Sequence, residues 1–360
     1  MLRRLWFSRV GRLLSFFLVG VLLSGAIALL MVGCSRVDRE ASLAGSPPQP
    51  EIEMTLVSFA VTRAAYEKII PMFADQWKRE HNQNVIIYES YGGSGAQTRA
   101  VMDGLNADVV ALALALDVKK LEKVGLINQG WEEKLPNHSV PHTSVVALVT
   151  RKGNPQNIRT WEDLTQPGLQ VVTANPKTSG GARWNFLALW GAITQTGGTD
   201  AQAMDYTTQV FKNVPALTRD ARESTDAFFK QGQGDVLLNY ENEVILAGLN
   251  GIDLSYVVPD PNISIDNPVA VVDANVDKNG TREVAEAFLQ FLFTPAAQAE
   301  FAKVGFRPVL PEVAQDFATQ FPPVKTLFTV EDLGGWSTIQ EKFFADDAVF
   351  DQIQSKLGKG

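Results

Sequence analysis

Residues 107–116 (ADVVALALAL) are apolar almost without interruption, and this run restricts the fold more than any other stretch of the chain. A strand with one solvated face alternates apolar and polar residues. A strand apolar on both faces must be covered on both, as in a parallel sheet flanked by helices. The neighbouring sequence agrees. Residues 53–59 and 85–88 predict strands. Between them, over 62–80, Ala65, Ile69, Ile70, Phe73, Ala74 and Trp77 keep helical spacing, and 97–105 predicts another helix. A second series begins near Thr143, with strands expected at 144–150, 170–174 and 235–239 and a helix at 183–193. After the break Val257-Val258-Pro259-Asp260-Pro261, a strand is expected at 268–272 and an amphipathic helix at 282–293. The alternation predicts an α/β fold in two lobes. Residues 52–143 with 268–360 form the first lobe and 151–258 the second, with hinges near 143–151 and 258–268.

The N-terminus has a different character. Residues 1–12 carry Arg3, Arg4, Arg9 and Arg12 and no acid, and 13–33 are apolar or small. Residues 1–33 therefore read as a secretory signal peptide, although the apolar run is also long enough for an uncleaved anchor. Met31-Val32-Gly33-Cys34 is similar to the bacterial lipoprotein signal, which ends in small residues before a cysteine. That resemblance implies a lipid-bearing Cys34. Residues 34–51, rich in Ser, Gly, Ala and Pro, cannot build a core and read as a tether in the periplasm.

Composition removes several function classes. The formal charge is −8, and loss of the four N-terminal arginines leaves 28 basic against 40 acidic residues, or −12. A nucleic-acid partner is not expected of such a chain. One cysteine and three histidines (His81, His138, His142) cannot supply a disulfide framework, a zinc finger or an iron–sulfur site. His138 and His142 flank Pro141, and loop positions are expected for them rather than a metal site.

Two Gly/Ser turns carry the chemistry. Gly92-Gly93-Ser94-Gly95 and Thr178-Ser179-Gly180-Gly181 each fall between a predicted strand and a predicted helix. Such a junction presents free backbone N–H groups at a helix start, where about half a positive charge resides. Glycine lets the backbone approach an anion, and serine adds a hydroxyl donor. Neither turn has the Lys-Ser/Thr of a Walker loop or the three-glycine spacing of a dinucleotide site. One turn in each lobe suggests an anion clamped between them.

The stretch from Asn175 through Lys177-Thr178-Ser179-Gly180-Gly181 to Arg183-Trp184-Asn185 resembles the signature of the periplasmic sulfate- and thiosulfate-binding proteins of ABC importers. The similarity extends to the 92–95 turn, to Arg151-Lys152-Gly153-Asn154-Pro155, to Glu241-Asn242-Glu243 and to Gly334-Gly335-Trp336. It implies a two-lobed, type II Venus-flytrap fold binding a tetrahedral oxyanion. It also implies a monomer without cofactor that serves ABC permease membrane subunits. The implied donors are Ser94, Ser179, Gly180, Gly181 and the backbone amides of Ala60 and Ala221, with Arg183 and Arg222 supporting the site's amides from behind. Two positions depart from the family: Ala60 replaces an aspartate, and Tyr240 falls where an indole donates. A phenol O–H donates one hydrogen bond, with different reach.

Sulfate is fully deprotonated at neutral pH, so a donor-only site satisfies it, whereas phosphate retains a proton that needs an acceptor. No acidic side chain is expected in the site, and sulfate is expected over phosphate. Thiosulfate and molybdate remain alternatives within the class, as does a non-transport sensor on the same fold. A secreted ester hydrolase or transferase using Ser179 would need a base, and no triad is recognisable.

Overall fold

The structure, a computed structural model, describes residues 51–359; the expected signal peptide over 1–33 and the Cys34 lipidation site lie outside the described residues. Glu51, expected as the last tether residue, opens the first strand instead.

Two sheets organise the chain. In the first, Val269–Val271, Val109–Ala111, Glu51–Phe59 and Asn84–Gly92 lie side by side in that order. The last three are mutually parallel and Val269–Val271 is antiparallel at one edge. In the second, the order is Leu217–Thr218, Val171–Ala174, Val236–Tyr240, Val146–Thr150, Ser255–Val257. The first three run parallel and Val146–Thr150 opposes its neighbours.

The apolar run that predicted a ten-residue strand is divided. Only Val109–Ala111 pair as strand, and Ala115 already opens the helix Ala115–Lys123. Residues 107–114 are nonetheless all buried. The run is apolar because both the strand and the loop after it are covered, and pattern alone does not separate the two.

The two expected crossings meet each other. His142–Ser144 pairs antiparallel with Ile265–Asn267, and Arg307–Pro308 lies on the other side of His142–Ser144. The assignment of all of 268–360 to the first lobe is corrected. Phe343 packs on Trp190 at 4.9 Å, Phe344 on Phe186 at 5.6 Å and Phe350 on Phe211 at 5.9 Å. These partners lie on the helices Gly180–Thr194 and Asp200–Lys212 that flank the second sheet. The chain therefore crosses a third time after Arg307, because the C-terminal aromatic residues bury their rings in that cluster.

Candidate functional site: a cavity between helix starts

Five helices begin at strand ends that face one another. Glu51–Phe59 runs directly into Ala60–Thr62 and Arg63–His81, and Gly92 is followed by the helix Ser94–Met102. From the second sheet, Ser179 caps Gly180–Thr194, Asp220 caps Ala221–Phe229, and Tyr240 is the N-cap of Glu241–Leu249. Both turns are shorter than predicted: Ser94 is already helical, and Gly180 and Gly181 occupy the first helical turn.

The five starts surround a cavity of about 10 Å³, of the order of a single ordered water. Ala60, Ser94, Ser179, Gly180, Gly181, Ala221 and Tyr240 all line it, together with Ala113 and Asp220, and no lysine or arginine does. The two halves touch across it. A Cβ on Gly180 would lie 2.5 Å from Ala113 Cβ, and one on Gly93 would lie 2.7 Å from the Thr178 carbonyl oxygen. Close approach requires glycine at both positions. The Phe59 and Tyr240 rings, from opposite sheets, meet at a tilt of 40° with centroids 6.0 Å apart.

The donors differ in how they are engaged. The first amides of a helix have no acceptor within it, which is the situation of Gly180, Gly181 and Ala221. Ser179 Oγ accepts from the Ala182 N–H at 3.3 Å, a bond that leaves its own hydrogen unused. Tyr240 Oη is buried with no hydrogen-bond partner, and Asn267 lies alongside without reaching bonding geometry. Burial, reinforced by Glu243, raises the phenol well above its ordinary pKa, so it remains an O–H donor. Ser94 behaves differently. Its Oγ accepts from the Ala113 N–H at 3.0 Å and donates to Asp117 Oδ2 at 2.7 Å. The buried Asp117 also receives Lys120 Nζ at 2.9 Å.

The expectation of a site without acidic side chains is corrected. Asp220 lines the cavity and Asp117 stands directly behind Ser94. Both serve local structure: Asp220 Oδ1 caps its helix through the Glu223 N–H at 2.9 Å, and Oδ2 accepts from Arg219 Nε at 3.1 Å. An Asp at N-cap with Glu three residues on is a readable signal in the sequence. The contact of Asp117 with Ser94 crosses 23 residues and leaves no such trace.

The supporting residues are also redistributed. Arg183 holds the turn through the Pro176 carbonyl at 2.8 Å and reaches Gln340 Oε1 at 3.3 Å. Arg222 Nη2 lies 2.7 Å from the buried Glu243, whose carboxyl is raised by burial and pulled back down by that arginine. Asn239, not singled out from sequence, donates to the Ala221 carbonyl at 2.8 Å and to Thr225 Oγ1 at 2.9 Å. His138 is exposed near Glu133, whereas His142 is buried between Phe301 and Phe306. Among the described residues no group of three or more His, Cys, Asp and Glu could hold a metal ion, and no helix is long and apolar enough to cross a membrane.

Known proteins share this architecture. The model of the bacterial extracellular solute-binding protein family matches residues 55–307. A sulfate-binding protein of Synechococcus elongatus is 58% identical, covering 95% of this chain and 97% of its own length. A thiosulfate-binding protein of Pseudomonas aeruginosa is 39% identical over 83% of this chain and 91% of its own. The solved structure of the sulfate-binding protein SubI from Mycobacterium tuberculosis is 38% identical, with a TM-score of 0.75, covering 81% of this chain and 99% of that one. The fold is thus that of the two-lobed periplasmic solute-binding proteins, and the chain belongs to the bacterial extracellular solute-binding protein family, among its sulfate- and thiosulfate-binding members.

Proposed function

We propose that this protein captures sulfate between its two lobes and delivers it to the membrane permease of an ABC importer. The observation that carries the reading is a small cavity, with no lysine or arginine in its lining, on which five helix starts and an unpartnered phenol hydroxyl converge, and which has to widen from the size of one water to admit the ion. Helix-end dipoles and amides replace the water shell of a dianion without a salt bridge. The names of the relatives point the same way. Because the two halves contribute separate donors, the ligand binds the closed form better and draws the lobes together. The protein needs no cofactor for this and acts as a monomer. Ser179 has no histidine beside it, which favours binding over ester hydrolysis. Cys34 carries the lipid that keeps the body at the membrane in the periplasm.

Ser94 limits the donor-only argument. A hydroxyl that gives its hydrogen to Asp117 offers only a lone pair to the cavity, so sulfate has to draw that hydrogen round. Calorimetry of the mature protein against sulfate, thiosulfate, molybdate and phosphate tests the reading. Sulfate or thiosulfate should bind far more tightly than phosphate, and equal affinity for phosphate would refute recognition by donors alone.

A further inference from the structure

We infer that the recess of about 700 Å³ beside the cavity is the anion's entrance vestibule, and that Arg63 is the cation that collects the anion there. The inference rests on the anion reading above. The recess and the cavity share Ala60, Gly92, Gly93 and Asp220 in their walls, so the two spaces adjoin across those residues. An ion leaving the cavity past the 92–93 turn passes into this recess.

Three arginines reach the recess, and two are engaged. Arg219 Nε bonds Asp220 Oδ2 at 3.1 Å, and Arg222 lies on Glu243 at 2.7 Å. Arg63 is exposed, lies over the Tyr91 ring at 4.6 Å, and has no carboxylate within ion-pair distance among the described residues. The acids nearby are occupied: Glu223 accepts from the Arg219 N–H at 2.7 Å, and Asp226 pairs with Lys230 at 2.8 Å.

The position of Arg63, one turn into the continuous helical run that starts at Ala60, is unfavourable for its helix. A cation in the first turn faces the positive end of the helix dipole, where acids are preferred, and this turn contains none. The same placement adds the guanidinium charge to the dipole at the mouth of the site. The need for such a local field follows from composition. A body of net charge −12 repels a dianion, and at physiological salt that repulsion is screened beyond roughly 8 Å, so only charges near the mouth act on the arriving ion.

Stopped-flow fluorescence of sulfate binding to the mature protein tests the assignment. Arg63→Gln should slow association about threefold at low ionic strength, with the difference fading toward physiological salt and dissociation unchanged. Arg63→Lys should restore the rate. Arg79→Gln, in the last turn of the same helix, should leave it unaltered. Association of Arg63→Gln at the wild-type rate and salt dependence, or an equal effect of Arg79→Gln, overturns the vestibule while leaving the function intact. A wild-type protein that binds none of the four anions overturns both.

Discussion

Gly180→Ala separates closure from folding. The added methyl would sit 2.5 Å from Ala113 Cβ, 3.2 Å from Ser94 Cβ and 3.3 Å from Leu114 Cγ, all on the side of the first sheet. Ordinary carbon contacts begin about 1 Å beyond the first of these distances and a few tenths of an ångström beyond the others, and overpacking of this kind costs about 1–3 kcal/mol. Ala113, Ser94 and Leu114 belong to the other half, so the clash should be relieved when the halves part. Within its own lobe the substitution is benign, because alanine is the better helix former by up to about 1 kcal/mol. Sulfate affinity should therefore fall about 5–150-fold, at about 1.4 kcal/mol per factor of ten, while the melting temperature of the unliganded protein holds or rises. Calorimetry and thermal denaturation of the same sample read both quantities. Affinity within twofold of wild type would show that the 180–113 contact is absent from the liganded form. A melting temperature that falls with the affinity would place the contact in the open form as well, and the reasoning would fail.

Tyr240→Phe removes the unpartnered hydroxyl; sulfate affinity should drop about tenfold or more, while the unliganded protein is no less stable, since a buried group without a partner is lost. Equal affinity in that variant would take Tyr240 out of the site. His142, buried with its Nδ1 unpartnered, is pushed down to about 3 by burial from its ordinary 6.5. Below pH 6.5 the unfolded chain takes up a proton that the native chain refuses, so stability is lost as pH falls from 6.5 toward 3, by at most about 1.4 kcal/mol per pH unit. Denaturant titrations between about pH 7 and 4.5 should show this slope in wild type and a shallower one in His142→Leu; identical slopes would assign the acid sensitivity to other groups.

The cavity wall was legible largely because its chemistry is local. A strand end, a Gly/Ser turn and a helix start occupy consecutive residues, so the turns at 92–95 and 178–181 announce themselves. Ala60, Ala221 and Tyr240 contribute a main-chain amide or a single hydroxyl, and only likeness to a family singles them out. What escaped was long-range. The Ser94–Asp117 bond, the Asn239 contact with the Ala221 carbonyl and the return of Phe343, Phe344 and Phe350 to the second lobe depend on pairings that no periodicity encodes. The apolar run at 107–116 shows the converse, for burial was read correctly over 107–114 and taken for strand.

The ladder between His142–Ser144 and Ile265–Asn267 has a mechanical consequence. Three independent linkers would let one half swivel, slide or rock against the other, but the third crossing, at Arg307–Pro308, pairs with His142–Ser144 as well. Joined by main-chain hydrogen bonds, they can flex together out of the plane of their ribbon but cannot shear without breaking the pairing. Such a joint leaves essentially one coordinate of motion. Motion about such a joint would close the cavity along the same path whichever small ion it encloses.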